Sequence, residues 1–272
     1  MITFIIAIDE EFVGMSKGML NSIRFYHPDD HILILTNLES HLRVKKLEKE
    51  YSNTRVKVLP SHSFDSLDWS SIVFSKIEVF NLDIDGVLVF LDVDQIMYSN
   101  VNSFVQEFVN SGFVLAATYD DEVFRDQFKT IPSGYESYSA DKALNTGAFI
   151  TKRNPYIYDK LVESAVQLNG MARLPTQAIF NKLNKDLDNF WLELDQDFMC
   201  HPFSLNVMKA AKNSCLVHFW TPRPAFFEFN KPRKGEKSYE ELKNIFEKKY
   251  NLDYPEEKFK QDYNCRKENI FR

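Results

Sequence analysis

Val87-Leu88-Val89-Phe90-Leu91 is an unbroken apolar run that ends in Asp92-Val93-Asp94. A strand with no polar residue on either face must be covered on both, as in a parallel sheet packed between helices. In open sheets of that kind, ligands sit beyond the carboxyl ends of the strands. Asp92 and Asp94 therefore stand where a ligand would be held. Asp is also common in solvated turns, but isolated charge at the end of a buried strand is costly. Carboxylate oxygens suit hard divalent cations such as Mg²⁺ or Mn²⁺, and a cation there could carry a diphosphate.

The rest of the chain alternates in the way this strand requires. Ile2–Ile8 reads as a first strand, and Met15, Met19, Ile23 and Tyr26 recur at helical spacing. After the turn His27-Pro28-Asp29-Asp30, Ile32–Leu35 is a second strand; Leu38, Leu42, Leu47 and Tyr51 predict a helix, and Arg55–Leu59 a third strand. Ile72–Leu82 predicts the helix that leads into the run at Val87. This βαβα order predicts right-handed crossovers and a mainly parallel sheet. Beyond Asp94, Phe104, Val105 and Phe108 mark a short helix and Val114–Thr118 a strand. No period survives from Tyr119 to Leu144, so that stretch is expected to be a long loop, the kind that serves as a lid or binding loop. Ala148–Thr151 is the next strand; Pro155–Leu168, with proline near its start, and Thr176–Leu183 are helices; Trp191–Leu194 and Cys215–Phe219 are later strands.

Composition narrows the functional classes. The chain has 272 residues, 44% of them hydrophobic, enough for one large α/β domain. Its net charge of −6 argues against nucleic acid as a partner. Cys200, Cys215 and Cys265 form no metal pattern, and an odd, scattered set fits a reducing, cytoplasmic setting. The apolar start runs straight into Asp9-Glu10-Glu11 and reads as a strand rather than a signal peptide. The composition shifts after Phe229. Residues 231–272 carry 12 Lys/Arg and 9 Asp/Glu, a net of +3 against −9 for residues 1–230. There Ser238 and Glu241 form a capping-box pattern, and Tyr239, Leu242, Ile245, Phe246 and Tyr250 follow as a helical stripe. The expected division is thus a catalytic domain over 1–229 and a charged helical extension over 230–272.

Four further groups could join the Asp pair. His218 ends a short apolar run, and with two carboxylates its imidazole would make a mixed nitrogen–oxygen site favouring Mn²⁺ over Ca²⁺. Asn145-Thr146-Gly147 could present an amide to a sugar hydroxyl, with Gly147 allowing close backbone approach. Lys76 could meet a phosphate, as could Arg223 with Lys231, Arg233 and Lys234. Each has a plainer reading: a hydrogen-bonded histidine, a loop entering a strand, solvated surface cations.

Taken in order, these residues resemble glycosyltransferase family 8, the glycogenin and bacterial lipooligosaccharide galactosyltransferase group. Ile6-Ala7-Ile8-Asp9-Glu10-Glu11-Phe12 is similar to the family's first strand and nucleotide loop, and Ser22-Ile23-Arg24-Phe25-Tyr26-His27-Pro28 to the end of its first helix. Lys76-Ile77 through Asp92-Val93-Asp94 resembles its lysine-to-Asp-x-Asp stretch, and Asn145-Thr146-Gly147 its Asn-x-Gly. Gln177 with Asn181 fits part of its Asp-Gln-x-x-Leu-Asn helix, and Val217-His218-Phe219 the start of its late His-Phe motif. The resemblance covers roughly residues 1–228. Two departures stand out: Thr176 replaces the family's Asp before the Gln, and the late motif lacks its Gly and carries Arg223 where Lys is usual.

The resemblance implies the GT-A fold: a Rossmann-like, mixed, mainly parallel sheet flanked by helices in one domain. It implies transfer of a sugar from a nucleotide diphospho-sugar, UDP-linked, to an acceptor hydroxyl on a glycan, lipid-linked or protein acceptor, with retention of configuration. It implies Mn²⁺ or Mg²⁺ bound by Asp92, Asp94 and His218. Ala7, Asp9, Glu11, Phe12 and Val93 would contact the nucleotide, Lys76, Asn145 and Arg223 the phosphate or donor sugar, and Gln177 would sit by the anomeric carbon. Asp120, Asp121 and Asp141 are candidate acceptor contacts. Two alternatives stay open: an inverting GT-A transferase with an acid as general base, and a non-catalytic nucleotide-sugar-binding relative, to which Thr176 gives weight. The extension 231–272 could touch the inner face of a membrane peripherally, or pack on the core or mediate a homodimer.

Overall fold

The computed structural model describes residues 1–59, 74–168, 170–200 and 214–218. Its centre is a mixed sheet in the order β3-β2-β1-β4-β8-β6-β7, with β9 also paired to β6. The strands are β1 (Ile2–Ala7), β2 (His31–Thr36), β3 (Thr54–Val58), β4 (Val87–Leu91), β6 (Leu115–Val123), β7 (Lys142–Leu144), β8 (Ala148–Thr151) and β9 (Trp191–Leu194). β3, β2, β1 and β4 run parallel, whereas β8 lies antiparallel to both β4 and β6. A second, smaller sheet joins β10 (Met199–Cys200), β11 (Leu216–His218) and β5 (Gln95–Met97).

Alternation along the strands builds two cores. Phe4 and Ile6 of β1, Val89 and Leu91 of β4 and Ile150 of β8 face one side, where they meet Met19, Leu20 and Ile23 of α1 (Val13–Tyr26) and Phe108 of α5 (Asn102–Ser111). Ile5, Leu88, Phe90 and Phe149 face the other, under α4 (Ser75–Glu78), α6 (Pro155–Gln167) and α7 (Pro175–Asp186). That is why β4 had to be apolar throughout: successive side chains point to opposite faces, and helices cover both. On the second face the rings of Phe80, Phe90, Phe149 and Phe180 pack together, with Phe149 at 5.0 Å from Phe90, 5.6 Å from Phe180 and 6.1 Å from Phe80. α6 starts as its sequence suggests: Pro155 occupies the first turn, and the Asn154 side chain accepts a hydrogen bond from the Ile157 amide at 3.3 Å.

Three sequence expectations need correction. The helix built on Leu38 and Leu42 is instead two single turns, α2 (His41–Val44) and α3 (Leu47–Glu50), and both leucines are exposed. The Asn37 side chain accepts the Ser40 amide at 2.8 Å, a local turn that competes with helix there. Val44 and Leu47 then supply the buried contacts. The stretch Tyr119–Leu144 is not one structureless loop. β6 runs on to Val123 through Asp120, Asp121 and Glu122, and the chain returns through two 3-10 turns to pair as β7, antiparallel to β6. The expected helix over Ile72–Leu82 is the single turn α4 followed by a 3-10 turn at Val79–Asn81; positions 72 and 73 lie outside the described residues. The boundary at 229–230 and the extension beyond it also lie outside them. Among the described residues no helix is long and apolar enough to cross a membrane.

Candidate functional site

Asp92-Val93-Asp94 is both a turn and a ligand set. The Asp92 amide donates to the Gly147 carbonyl at 2.7 Å, carrying the β4–β8 ladder one step past Leu91. The Gln95 amide then donates to the Asp92 carbonyl at 3.2 Å, closing a tight reversal into β5. β5 pairs antiparallel with β11, and Gln95 stands opposite His218. This pairing brings the imidazole from far along the chain to the Asp pair. His218 Nε2 lies 3.2 Å from Asp94 Oδ1 and 3.9 Å from Asp92 Oδ2. One donor atom from each of the three residues lies within 4.8 Å of the others. Asp94 is fully buried, His218 nearly so, and Asp92 is partly open. Two carboxylates and an imidazole at this spacing suit one divalent cation of the Mn²⁺ type.

Lys76, within α4, reaches the same carboxylate. Its Nζ is 2.8 Å from Asp92 Oδ1 and 2.9 Å from Oδ2, and it lies 5.4 Å from the centre of the Phe90 ring.

Gly147 ties the cluster to its neighbours. A Cβ there would stand 2.4 Å from His218 Cε1, 2.6 Å from His218 Nδ1 and 2.9 Å from Asn145 Oδ1. The imidazole is therefore seated against bare backbone, and only glycine permits the approach. Gly147→Ala is expected to cost about 1–3 kcal/mol by overpacking and to weaken divalent-cation binding. Chemical denaturation and a Mn²⁺ titration check both effects; unchanged affinity would mean that the ring shifts without consequence.

Asn145 and Gln177 form the other half. The Asn145 side chain accepts from the Gly147 amide at 2.7 Å and donates to Asp120 Oδ2 at 3.1 Å. Gln177, in the first turn of α7, donates to the same Asp120 oxygen at 2.6 Å and to Gln127 Oε1 at 2.8 Å. The Thr146 amide donates to Gln177 Oε1 at 3.5 Å. Asp120 is thus the link between the Asn-x-Gly stretch and the Gln helix, in a strand rather than the loop the sequence suggested. Gln127 carries no sequence signal that could have marked it. Asn181 belongs to the frame: it accepts from the Leu144 amide and donates to the Leu144 carbonyl, clamping β7 to α7.

The nucleotide-loop residues sit at the same edge of the sheet. Ile6 is in register with Leu91, so Ala7 ends its strand level with Asp92, and Asp9 and the turn Glu10–Phe12 follow. Phe12 packs against the first core and Val93 is buried within it. The Glu11 side chain, the Asp121 side chain and all of Arg223 lie outside what is described. Asp141 is not at the cluster's centre: its carboxylate pairs with Lys185 on the last turn of α7 at 2.6 Å.

The family model described as glycosyl transferase family 8 matches residues 4–224. No curated protein sequence matches the chain. Among solved structures, the galactosyltransferase LgtC, in complex with donor and acceptor sugar analogs, is similar with a TM-score of 0.66 at 15% identity, over 95% of this chain and 99% of that one. The glycosyltransferase GlyE of Streptococcus pneumoniae TIGR4 is similar with a TM-score of 0.60 at 13% identity, over 96% of this chain and 62% of that one. Mouse xyloside xylosyltransferase 1 gives 0.54 at 12% identity, over 81% and 97%. At such identities the likeness carries the fold, which is GT-A.

Proposed function

Since the chain belongs to glycosyltransferase family 8 and is therefore a glycosyltransferase, we propose that it moves a sugar from a UDP-linked donor to an acceptor hydroxyl, with retention and with Mn²⁺ as cofactor. The observation that carries this reading is the meeting of Asp92, Asp94 and His218 within 4.8 Å at the carboxyl end of β4. Their donor set, two hard oxygens and one imidazole nitrogen, fits a first-row divalent cation. Held there, the cation would act as a Lewis acid on the diphosphate leaving group, worth several kcal/mol.

The chain's own residues then have distinct work. Asp94 and His218, both buried and the latter pressed against Gly147, give the closed half of the ligand set, whereas the more open Asp92 would meet the incoming donor. The Lys76 ammonium adds positive charge beside the leaving group. Asn145 and Gln177 are held in place by hydrogen bonds to Asp120, and each would lend its amide to the sugar. The bonds of Asp120 speak against its serving as the general base of an inverting route. Its oxygens already accept from Gln177, Asn145 and the Glu122 amide. An acid so occupied orients amides and is poorly placed to take a proton from an acceptor. The acceptor is a hydroxyl of a glycan, lipid-linked or protein partner.

A screen of nucleotide sugars for hydrolysis tests the reading. Release of nucleoside diphosphate is expected with Mn²⁺ present, and its loss in excess chelator with recovery on re-addition. Full turnover in chelator would remove the metal from the mechanism, and donor binding without any release would mark a non-catalytic relative.

A further inference from the structure

We propose that Lys76 is a built-in competitor for the divalent cation: it neutralises Asp92 in the metal-free site and is freed toward the donor when the cation binds. The inference rests on the reading of Asp92, Asp94 and His218 as a cation site. It goes beyond that reading in giving the lysine a role before any donor arrives.

The geometry is that of a two-oxygen grip. Nζ stands 2.8 and 2.9 Å from the two Asp92 oxygens, so both oxygens of this partly open ligand face a positive charge. The need for a counter-charge is local. Asp92 and Asp94 are one residue apart, and Asp94 is fully buried. Acid charge in such a place is costly without a counter-charge, and among the described residues Lys76 is the lysine or arginine that pairs with Asp92. Arrival of a second, doubly charged cation changes the balance. The ammonium then faces like charge at short range in a partly closed site, where such interactions are weakly screened.

The support of Lys76 suits release. Ser75, Ile77 and Glu78 of α4 are all buried, which fixes the backbone, while the Lys76 side chain, largely covered, keeps 14% of its surface open. A flexible four-carbon stem can re-aim its head without moving that anchor. The cation thus binds against the opposition of Lys76, and in binding it turns the lysine from an internal counter-ion into a group able to meet the donor. Cation affinity and lysine availability are linked, and linkage of this kind is reciprocal.

Binding of Mn²⁺ alone, followed by electron paramagnetic resonance of the free ion, tests this without turnover. Lys76→Met is expected to bind Mn²⁺ at least about tenfold tighter than wild type, because one opposing unit charge is gone. Lys76→Arg, which keeps the charge, is expected to stay near wild type. In wild type, the Lys76 amine is expected to acylate faster with Mg²⁺ present than without. Equal or weaker Mn²⁺ binding by Lys76→Met with a native circular dichroism spectrum overturns the proposal. So does the same result in Lys76→Gln, should the methionine variant fail to fold. An acylation rate indifferent to Mg²⁺ overturns it as well. If neither wild type nor variant binds Mn²⁺, the cation site itself falls and this inference with it, an outcome distinct from equal binding by both.

Discussion

Asp94→Asn is expected to lower Mn²⁺-dependent release of nucleoside diphosphate by about a thousandfold while leaving the protein folded. The substitution keeps size and shape and removes one negative charge together with one ligand oxygen. Asp94 is fully buried and lies 3.2 Å from His218 Nε2, so it belongs to the closed half of the ligand set. If the cation contributes several kcal/mol to the transition state, and each 1.36 kcal/mol is about tenfold in rate, loss of most of that contribution gives the stated factor. Stability is expected to change little, since an amide in this place no longer has to be buried as an ion. The measurement is donor hydrolysis across a Mn²⁺ series, with thermal unfolding as the control. Wild-type turnover at ordinary Mn²⁺ levels would remove Asp94 from the proposed site.

Phe149→Ala is expected to produce the largest loss of stability, about 3–5 kcal/mol. Its ring has Phe90, Phe180 and Phe80 within 6.1 Å, and it is fully buried between the sheet and its covering helices. Truncation leaves a cavity that stiff neighbouring rings cannot close. In a domain of this size each kcal/mol corresponds to about 2–4 °C, so a fall in Tm on the order of 10 °C is expected. The Phe149 ring packs in the second core among Phe80, Phe90 and Phe180, so turnover per folded molecule at low temperature is expected to stay within a few-fold of wild type. A Tm within about 2 °C of wild type would mean that this core relaxes around the gap, contrary to the packing argument.

The sequence made the frame legible where the physics is local. β1, β2, β4 and β8 are apolar runs because the sheet is covered on both faces. Asp92, Asp94 and His218 could each be named, but their meeting depends on β5 and β11. Those strands have three residues each, too short to show a period. The acidic part of β6 was hidden for a different reason. Asp and Glu are poor strand formers, yet Asp120–Val123 is held extended by β7 on one edge and by side-chain bonds to Asn145 and Gln177. The leucines at 38 and 42 misled because helical spacing carries no information about which face is inward. Leu47, of the same expected stripe, does face inward, together with Val44, which lies off it.

Gly147 offers its carbonyl to Asp92, its amide to Asn145 and its bare α-carbon to His218. One position therefore serves the cation ligands and the sugar-facing amide at once. A descendant enzyme acquiring a new donor sugar could not begin by remodelling this position, because the cation ligands would be disturbed in the same step. Diversification has a freer route through the opposite wall, where Asp120, Gln127 and Gln177 meet. Libraries aimed at altered donor preference belong there.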